Sequence, residues 1–363
     1  MEFMSSCRPS TSEWRFKLVV GDGLHSLVIF ILNVEFLLKK AIGRILPAIK
    51  FRHQKSNSES ELVLNAGEVS SAINLVDSIG TQRFHLFQPR KVVVKKNVIL
   101  NSKSGMAYEN GNKLIPRSSS WPINELIRDS YNGSDIVSKL STFKVTNETN
   151  YSCLPSNGFY HWIIEDLPRY LILREYMERD IKTLVYHNAP QYVRDFCEMF
   201  GIEFIEVPRV FLVPSFTFGE RNPETGIPNP YDIKILRDTL VHKDNTKSNE
   251  KLYVSRTDST RSPSWEMELS LKLENLGWRI LHCERMHLKE QIDLFQSAET
   301  ICGVHGAGLV GMVWAKPGTH IIELNDNFRS DCFNFLAQLM GHRMSRVNTA
   351  GMTLSEIEEY IIR

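Results

Sequence analysis

The stretch Gly303-Val304-His305-Gly306-Ala307-Gly308-Leu309 decides the fold of this chain. It ends a short apolar run at Thr300–Gly303 that predicts a strand, and the small residues from Ala307 onward predict a helix start. Glycines in such a turn let backbone amides approach an anion at a helix N-terminus, where the peptide dipoles favour negative charge. The turn therefore predicts an anion site at Gly306, Ala307 and Gly308.

A second strand is predicted at His320–Leu324, after the turn Lys316-Pro317-Gly318-Thr319. It places Glu323 close to its C-terminal end. In an open α/β sheet the carboxyl ends of the strands form the edge at which nucleotides bind. Glu323 is therefore a candidate for binding ribose hydroxyls, with helix capping by a strand-end glutamate as the alternative.

Strands and helices alternate in two blocks of the chain, which predicts parallel sheets covered by helices. The second block has strands at Lys251–Ser255 and Trp278–Leu281 and helices at Ser264–Leu276 and Leu288–Ala298. The first block is less regular, and its predicted elements are helices Tyr160–Met177 and Gln191–Phe200 and strands Thr183–Tyr186, Glu203–Val207 and Val210–Val213. Two Rossmann-like halves facing each other across a cleft fit this order.

The rest of the chain sets the predicted domain boundaries. Short alternating runs between residues 62 and 117 predict β-hairpins before the main fold. The segment Pro214–Pro230 holds many prolines and glycines, which predicts an interdomain connection or an active-site loop, followed by a helix at Tyr231–His242. We therefore expect an N-terminal segment at 1–60, a first α/β domain at 61–230 and a second at 231–363.

Composition excludes several classes of protein. With 363 residues, 42% hydrophobic and 23% charged, the chain is long enough for two globular domains and is not disordered throughout. A net charge of +1 gives no case for nucleic-acid binding. The six cysteines are far apart and form no zinc pattern, so we interpret them as reduced core thiols.

The N-terminal segment carries a membrane signal. Residues 18–38 are apolar but are interrupted by Asp22 and Glu35, and each mid-bilayer charge costs roughly 2.5–3.5 kcal/mol, which disfavours a clean span. From Leu37 to Lys55, apolar residues recur at helical spacing beside cations alone. This pattern is typical of an amphipathic helix on an anionic membrane surface, although a helix packed on the body gives the same stripe.

The excess of cations after the apolar segment favours a cytoplasmic body that is peripherally membrane-associated. The alternative is a type II membrane protein facing the Golgi or ER lumen. In that case the three sequons at Asn132, Asn147 and Asn150 would be accessible for glycosylation.

Two further motifs carry candidate chemistry. The first, Asn157-Gly158-Phe159-Tyr160-His161-Trp162-Ile163-Ile164-Glu165-Asp166-Leu167-Pro168-Arg169, predicts a turn before a helix on which His161, Glu165 and Arg169 share one face. A histidine held by a carboxylate suits general-base removal of a hydroxyl proton, and a core histidine beside a solvated Glu165–Arg169 pair is the alternative. The second runs from Lys251 to Arg261, where Arg256 stands at a strand end and can grip a diphosphate, or else make surface contacts.

These motifs, in the order His-Trp-x-x-Glu-x-Leu-Pro-Arg, Tyr-Val-Ser-Arg, Val-His-Gly-Ala-Gly-Leu and Pro-Gly-Thr-x-x-Ile-Glu-Leu, resemble glycosyltransferase family 61 over about residues 60–350. The resemblance implies a GT-B-like fold and inverting transfer of a sugar from a nucleotide sugar, here expected to be a UDP-sugar, to a glycan or glycoconjugate hydroxyl. It places the donor site in the C-terminal half.

The resemblance implies roles for the matching residues. The catalytic candidates are His161 first, then Asp166 or Glu165. Asn157 and Arg169 fall on the acceptor side. The donor-side residues are Arg256, Arg261, His305, Gly306, Ala307, Gly308 and Glu323.

The chain departs from the family pattern at two positions, Val304, where proline is frequent, and Gly311, where asparagine is frequent. No convincing Asp-x-Asp motif occurs, so we expect no metal ligands and phosphate binding by helix amides and arginine. Two alternatives stay open, a nucleotide-sugar-modifying enzyme of similar fold and a non-catalytic, membrane-associated glycan-assembly subunit.

Overall fold

The computed structural model describes residues 64–65, 71–77, 80–87, 90–109, 113–115, 117–118, 150–156, 158–177, 181–222, 225–241, 249–327 and 330–363. The predicted membrane-binding segment and Asn157 lie outside these residues. No helix within the described part of the chain has the length and apolarity needed to cross a bilayer.

The first half is built on a mixed sheet of eight strands. Its central strand β10 pairs antiparallel with β4, which continues into an antiparallel meander, and parallel with β7, which leads to β8 and β9. The predicted hairpins and the predicted parallel strands are thus two ends of one sheet. Its strands are β1 (Leu64–Asn65), β4 (Lys91–Asn101), β5 (Met106–Glu109), β6 (Lys113–Leu114), β7 (Asn150–Cys153), β8 (Ile181–Tyr186), β9 (Phe204–Val207) and β10 (Val210–Gly219).

The second half is built on a five-stranded sheet in which every pair is parallel. In chain order its strands are β11 (Glu250–Val254), β12 (Arg279–Leu281), β13 (Ala298–Val304), β14 (His320–Asn325) and β15 (Arg343–Asn348). They lie in the spatial order β12-β11-β13-β14-β15. This is the doubly wound order 2-1-3-4-5, whose switch point falls between β11 and β13.

Seven helices of α type accompany these sheets in the described residues. Of the six helices predicted within the described residues, five are confirmed with ends shifted by a few residues, and the sixth, predicted from Ala307, is a 3₁₀ helix at Ala307–Trp314. The α helices are α1 (Phe159–His161, a π-helical segment Trp162–Asp166 and Leu167–Tyr176), α2 (Gln191–Met199), α3 (Pro230–Leu240), α4 (Glu266–Asn275), α5 (Leu288–Gln296), α6 (Cys332–Met340) and α7 (Leu354–Ile362).

The predicted loop Pro214–Pro230 is shorter than expected, because β10 continues to Gly219. Pro214 fits inside this strand since Asn97, which stands opposite it between the pairs Val213↔Val98 and Ser215↔Lys96, has a positive φ of 53°. A proline without an N–H is tolerated where the ladder is irregular. The loop itself begins at Glu220 and ends at the N-cap Asn229.

A separate hairpin, β2 (Ser71–Val76) with β3 (Gln82–Phe87), packs on helix α6 of the second half. The backbone of Val76 donates to Gln338 Oε1 (2.9 Å) and accepts from Asn334 Nδ2 (2.8 Å). The ring of His85 lies edge-on to Phe335 at 5.9 Å. The hairpin therefore ties the start of the described chain to the C-terminal half.

One apolar cluster is shared by both halves. It joins Trp162 and Phe196 of the first half to Phe295 and Trp314 of the second, all fully buried. Two smaller clusters lie on the other faces of the sheets, one around Phe216 in the first half and one around Tyr253 and Ile322 in the second. The helices between the two sheets therefore form the main core of the molecule.

Candidate functional site

The carboxyl ends of β11 and β13 bring Arg256 against the glycine turn. Arg256 follows β11 by two residues, and its guanidinium donates to the backbone oxygen of His305, which follows β13, and to Ser259 Oγ (3.2 Å). Burial first, and the nearby Arg261 guanidinium second, lower the pKa of Arg256. Two cationic side chains thus meet at the switch point, where doubly wound folds bind their ligands.

The glycines of the turn serve close packing as well as access. A Cβ on Gly306 would lie 2.8 Å from Arg256 Nε, so only glycine lets the guanidinium rest on this backbone. A Cβ on Gly308 would lie 2.8 Å from Val254 Cγ1, and one on Gly311 would lie 2.2 Å from the Phe295 ring. At Gly311 the ring fills the space that the asparagine side chain frequent in family 61 would need.

The predicted anion site starts the 3₁₀ helix Ala307–Trp314, with Gly306 as its N-cap. The first N–H groups of a helix have no intrahelical acceptor, and here they lie beside the Arg256 side chain. Arg261 is exposed, and its backbone N–H donates to Ser259 Oγ (3.3 Å). Arg256, Arg261, Gly306, Ala307 and Gly308 are therefore brought together at one edge of the sheet.

His305 is held by a buried ion network. Its Nδ1 donates to Glu323 Oε1 (2.5 Å), while Glu323 Oε2 accepts from Arg346 Nε (2.9 Å). Arg346 also bonds Asp331 Oδ1 (2.5 Å). Glu323 has no exposed surface, whereas the His305 side chain is 28% exposed. Glu323 therefore does not line the cleft as predicted; it lies behind His305 because Arg346, its register partner on β15, draws its second oxygen inward.

On the opposite side, helix α1 carries a second histidine–glutamate pair. His161 Nδ1 lies 3.1 Å from Glu165 Oε2, with the His161 side chain 19% exposed and that of Glu165 only 5%. The carboxylate accepts, so Nδ1 carries the proton and Nε2 is the ring nitrogen that can accept one. The predicted pairing of His161 with Glu165 is therefore present in the structure.

The same helix departs from α geometry at this point. Trp162–Asp166 is a π-helical turn in which the N–H of Leu167 donates to Trp162 O. Pro168 explains the turn, because it has no N–H and its ring crowds the carbonyl four residues back. The wider turn rotates the residues after it, and π turns are frequent at functional sites.

That rotation moves Arg169 off the face of His161. Arg169 instead bonds Asp166 Oδ1 (2.6 Å), and both side chains are buried beside a small cavity lined by Cys153 and Tyr170. The catalytic candidate Asp166 and the predicted acceptor-side residue Arg169 are therefore both buried and paired with each other. The same surroundings, burial above all and then the Asp166 charge, raise the pKa of the Cys153 thiol far above its usual range.

The loop after β10 is fixed to this dyad. The backbone N–H of Gly226 donates to Glu165 Oε1 (2.6 Å), and its carbonyl accepts from Tyr160 Oη (3.0 Å). Gly226 has φ of +80°, a conformation that favours glycine. The prediction of an active-site loop is supported by this contact, which holds the Glu165 oxygen that His161 does not use.

Aromatic rings join the two histidine–glutamate pairs. The Phe333 ring lies 5.2 Å from that of His305 and 5.4 Å from that of Tyr160, and Tyr160 lies 5.4 Å from His161. Edge-on contacts of this kind are favourable. Burial raises the pKa of Tyr160, so the phenol stays a neutral hydrogen-bond donor. A chain of ring contacts thus links an imidazole of one half of the molecule to an imidazole of the other.

Residues 159–322 match the family model Glycosyltransferase 61. The resemblance to glycosyltransferase family 61 is confirmed. The matched segment contains the His161–Glu165 pair, Arg256 and His305, and it ends one residue before Glu323. Phe333 and Arg346 lie beyond its C-terminal end.

The chain is also similar to the β-1,2-xylosyltransferase RCN11 of Oryza sativa subsp. japonica. The two are 25% identical over 136 residues, which cover 32% of this chain and 26% of the relative. The match therefore spans about a quarter of the length of that protein.

Sequence reasoning missed Arg346, Phe333 and Gly226. No element was predicted between residues 325 and 363, where β15, α6 and α7 lie. A signal for Arg346 was present, because a basic residue on a strand after His320–Asn325 falls opposite Glu323 in parallel register. Gly226 and Phe333 act through tertiary contacts for which the sequence carries no local pattern.

Proposed function

We propose that this chain is an inverting, GT-B-like glycosyltransferase that moves a sugar from a nucleotide-sugar donor to a hydroxyl of a glycan or glycoconjugate. The observation that carries the proposal is the meeting of the His161–Glu165 pair with the Arg256 and His305 edge around Phe333, mostly within the family 61 segment. A nucleotide at a switch point and a base opposite it are what single displacement requires.

In this mechanism His161 Nε2 takes the proton of the acceptor hydroxyl. The acceptor oxygen bonds to the anomeric carbon as the bond from that carbon to the phosphate oxygen breaks, and the electron pair leaves with the diphosphate. Glu165 stabilises the positive imidazole that forms, and the amide of Gly226 keeps Glu165 in place.

The leaving diphosphate is held by Arg256, Arg261 and the first amides of the 3₁₀ helix, without a metal ion on the phosphates. Well-placed donors of this type contribute roughly 3 kcal/mol each to a charged transition state. Glu323 acts through His305, because its oxygens are engaged by His305 and Arg346. We assign it a positioning role and not a ribose contact.

A thermal-shift panel of nucleotides and nucleotide sugars tests the donor site. A true donor at 100 times its dissociation constant adds about 2.7 kcal/mol of stability. The panel includes UDP-sugars with hexoses and with pentoses, since the rice relative is named for xylose transfer. Loss of one charged hydrogen bond costs about 1.5–3 kcal/mol, so Arg256→Ala weakens nucleotide affinity at least tenfold.

The matched control is Arg279→Ala, which removes an exposed arginine from the edge strand β12. If Arg256→Ala and Arg279→Ala bind nucleotide equally well, the donor site is misplaced. Product analysis with and without an acceptor separates transfer from modification of the nucleotide sugar, because only the latter releases an altered free sugar.

We also propose that residues 1–55 hold the protein on an anionic membrane surface with its body in the cytosol. The support is the one-sided cationic pattern between Leu37 and Lys55. Fractionation of the full chain and of a chain without residues 1–55 tests it, with salt expected to release the full chain. Equal solubility would contradict the membrane helix, and glycosylation at Asn132, Asn147 or Asn150 would contradict the cytosolic placement.

A further inference from the structure

Three metal-ligating side chains gather outside the site described above, at the carboxyl ends of β11 and β12. Asp258 lies in the loop after β11, and His282 and Glu284 follow β12 directly. Their ligand atoms all lie within 4.8 Å of one another, and they form the one such group in the part of the chain that the structure describes.

The distances suit a single small cation. His282 Nδ1 lies 3.6 Å from Asp258 Oδ2 and 3.9 Å from Glu284 Oε1. Ligands of a tetrahedral ion with bonds of about 2.0–2.2 Å are roughly 3.3–3.6 Å apart, so a contraction of a few tenths of an ångström completes the set. These separations are too long for hydrogen bonds.

The surroundings of the His282 ring nitrogen are a second, independent indication of a bound ion. His282 Nδ1 is buried, and among the described residues it has no hydrogen-bond partner. Buried polar atoms without a partner are uncommon in folded proteins, and each asks for an explanation such as an ion. This atom is aimed at two carboxylate oxygens, which a cation would bind together with it.

The positions of the two carboxylates also indicate a bound cation. Asp258 Oδ2 and Glu284 Oε1 both face His282 Nδ1. Arg285 Nη2 lies 2.6 Å from Asp258 Oδ1 and compensates one oxygen, which leaves Oδ2 facing His282. A pair of carboxylates this close favours a bound cation.

We infer that Asp258, His282 and Glu284 bind one divalent transition-metal ion, such as Zn²⁺ or Mn²⁺, that fixes the loop carrying Arg256. One imidazole with two carboxylates is a donor set for such ions, and water completes the coordination. Cys283 lies between His282 and Glu284 in the segment after β12. Its side chain turns inward, and its Sγ would lie 3.7 Å from a Cβ added to Gly308. The ion would therefore join the Arg256 loop to a segment packed on the glycine turn.

The inference concerns metal binding itself and does not rest on the proposed transfer reaction. The test is calorimetric titration of Zn²⁺ and of Mn²⁺ into the metal-free full chain. We expect saturable binding of one equivalent, weakened at least tenfold in Asp258→Asn, His282→Ala and Glu284→Gln, since outer-sphere changes alone cost about 10–100-fold. The matched control is Asp293→Asn, which removes an exposed carboxylate from α5 and should bind as wild type does.

Two results would overturn the site. One is the absence of saturable binding of either ion by the wild-type chain. The other is equal binding by the wild type and all three variants, which would place the ion at other ligands. Circular dichroism of each variant separates a lost site from a lost fold.

Discussion

The two histidine–glutamate pairs look alike but are supported differently. Each has a partly exposed imidazole whose Nδ1 meets a buried glutamate, at 3.1 Å for His161 and 2.5 Å for His305. Glu165 is held by a neutral backbone amide, whereas Glu323 is held by the guanidinium of Arg346. A carboxylate already paired with an arginine stabilises a neighbouring imidazolium less, because the guanidinium offsets part of its negative charge.

Under the proposed function, the comparison predicts different tasks for the two histidines. His161 is supported for gaining a proton during turnover, because among the described residues the direct ion pair of Glu165 is with His161, and Arg221 acts on Glu165 only through its charge. His305 is fixed in place by a compensated network and suits contact with the donor. The following experiments break or sharpen this difference, beginning with the largest expected effect.

Replacing His161 by alanine should abolish most of the transfer activity and leave nucleotide affinity unchanged. Loss of a general base typically costs about 10²–10⁴ in rate. The measurement is single-turnover kinetics together with calorimetry of nucleotide binding. Near-normal turnover in this variant would remove His161 from the base role.

Replacing each glutamate by glutamine should have different effects on turnover and stability at the two pairs. Glu165→Gln should lower turnover by about 10–100-fold with little change in nucleotide affinity, because the support for the imidazolium is lost. Glu323→Gln should instead lower the melting temperature, since it removes the charged partner of Arg346, whose side chain is only 11% exposed. The comparison fails if the two variants lose turnover and stability in the same proportion.

Two glycine substitutions test separately the nucleotide-binding role and the packing role of the glycine turn. Gly306→Ala presses on the movable end of Arg256, so it should weaken nucleotide binding with little loss of stability. Gly311→Ala presses on the buried Phe295 ring, and overpacking of this type costs about 1–3 kcal/mol. Denaturant unfolding and nucleotide calorimetry on both variants give the readouts, and a reversed pattern would contradict the placement of Arg256.

The smallest effect concerns a pair that joins the two halves. Asp195 of α2 accepts from the N–H of Leu288 (2.8 Å) and from His287 Nδ1 (3.0 Å), and this bond raises the pKa of the exposed His287. Because the pKa is higher in the folded state, the stabilisation is complete below the unfolded pKa, about 6.5, and is lost as pH rises through the folded value.

The pKa of Asp195 is lowered by its bonds to Gln191, to His287 and to the backbone N–H of Leu288, against the effect of burial. Its contribution is therefore present above the unfolded value near 4 and is lost as pH falls through the folded one. Unfolding midpoints between about pH 6 and 9 should decline slightly in the wild type and stay flatter in His287→Gln. Parallel curves for the two proteins would show that this pair contributes nothing.

The second half could be predicted strand by strand as far as β14, because its strands and helices alternate and each has its own apolar period. The proximity of Arg256 and Gly306 could be predicted because both residues follow the carboxyl ends of predicted strands. The surroundings of His161 were harder to predict from the sequence, since a π turn induced by Pro168 decides which residues face it. The burial of Glu323 depended on Arg346, a residue on a strand that the pattern did not reveal.

The apolar cluster shared by the halves has a consequence for motion. Separating the halves like a hinge would expose the indoles of Trp162 and Trp314 to water, and each buried square ångström of apolar surface contributes about 25 cal/mol. Large hydrophobic interfaces of this kind hold domains as one rigid body. Substrates of the proposed reaction would therefore reach the site without a hinge opening of the two halves.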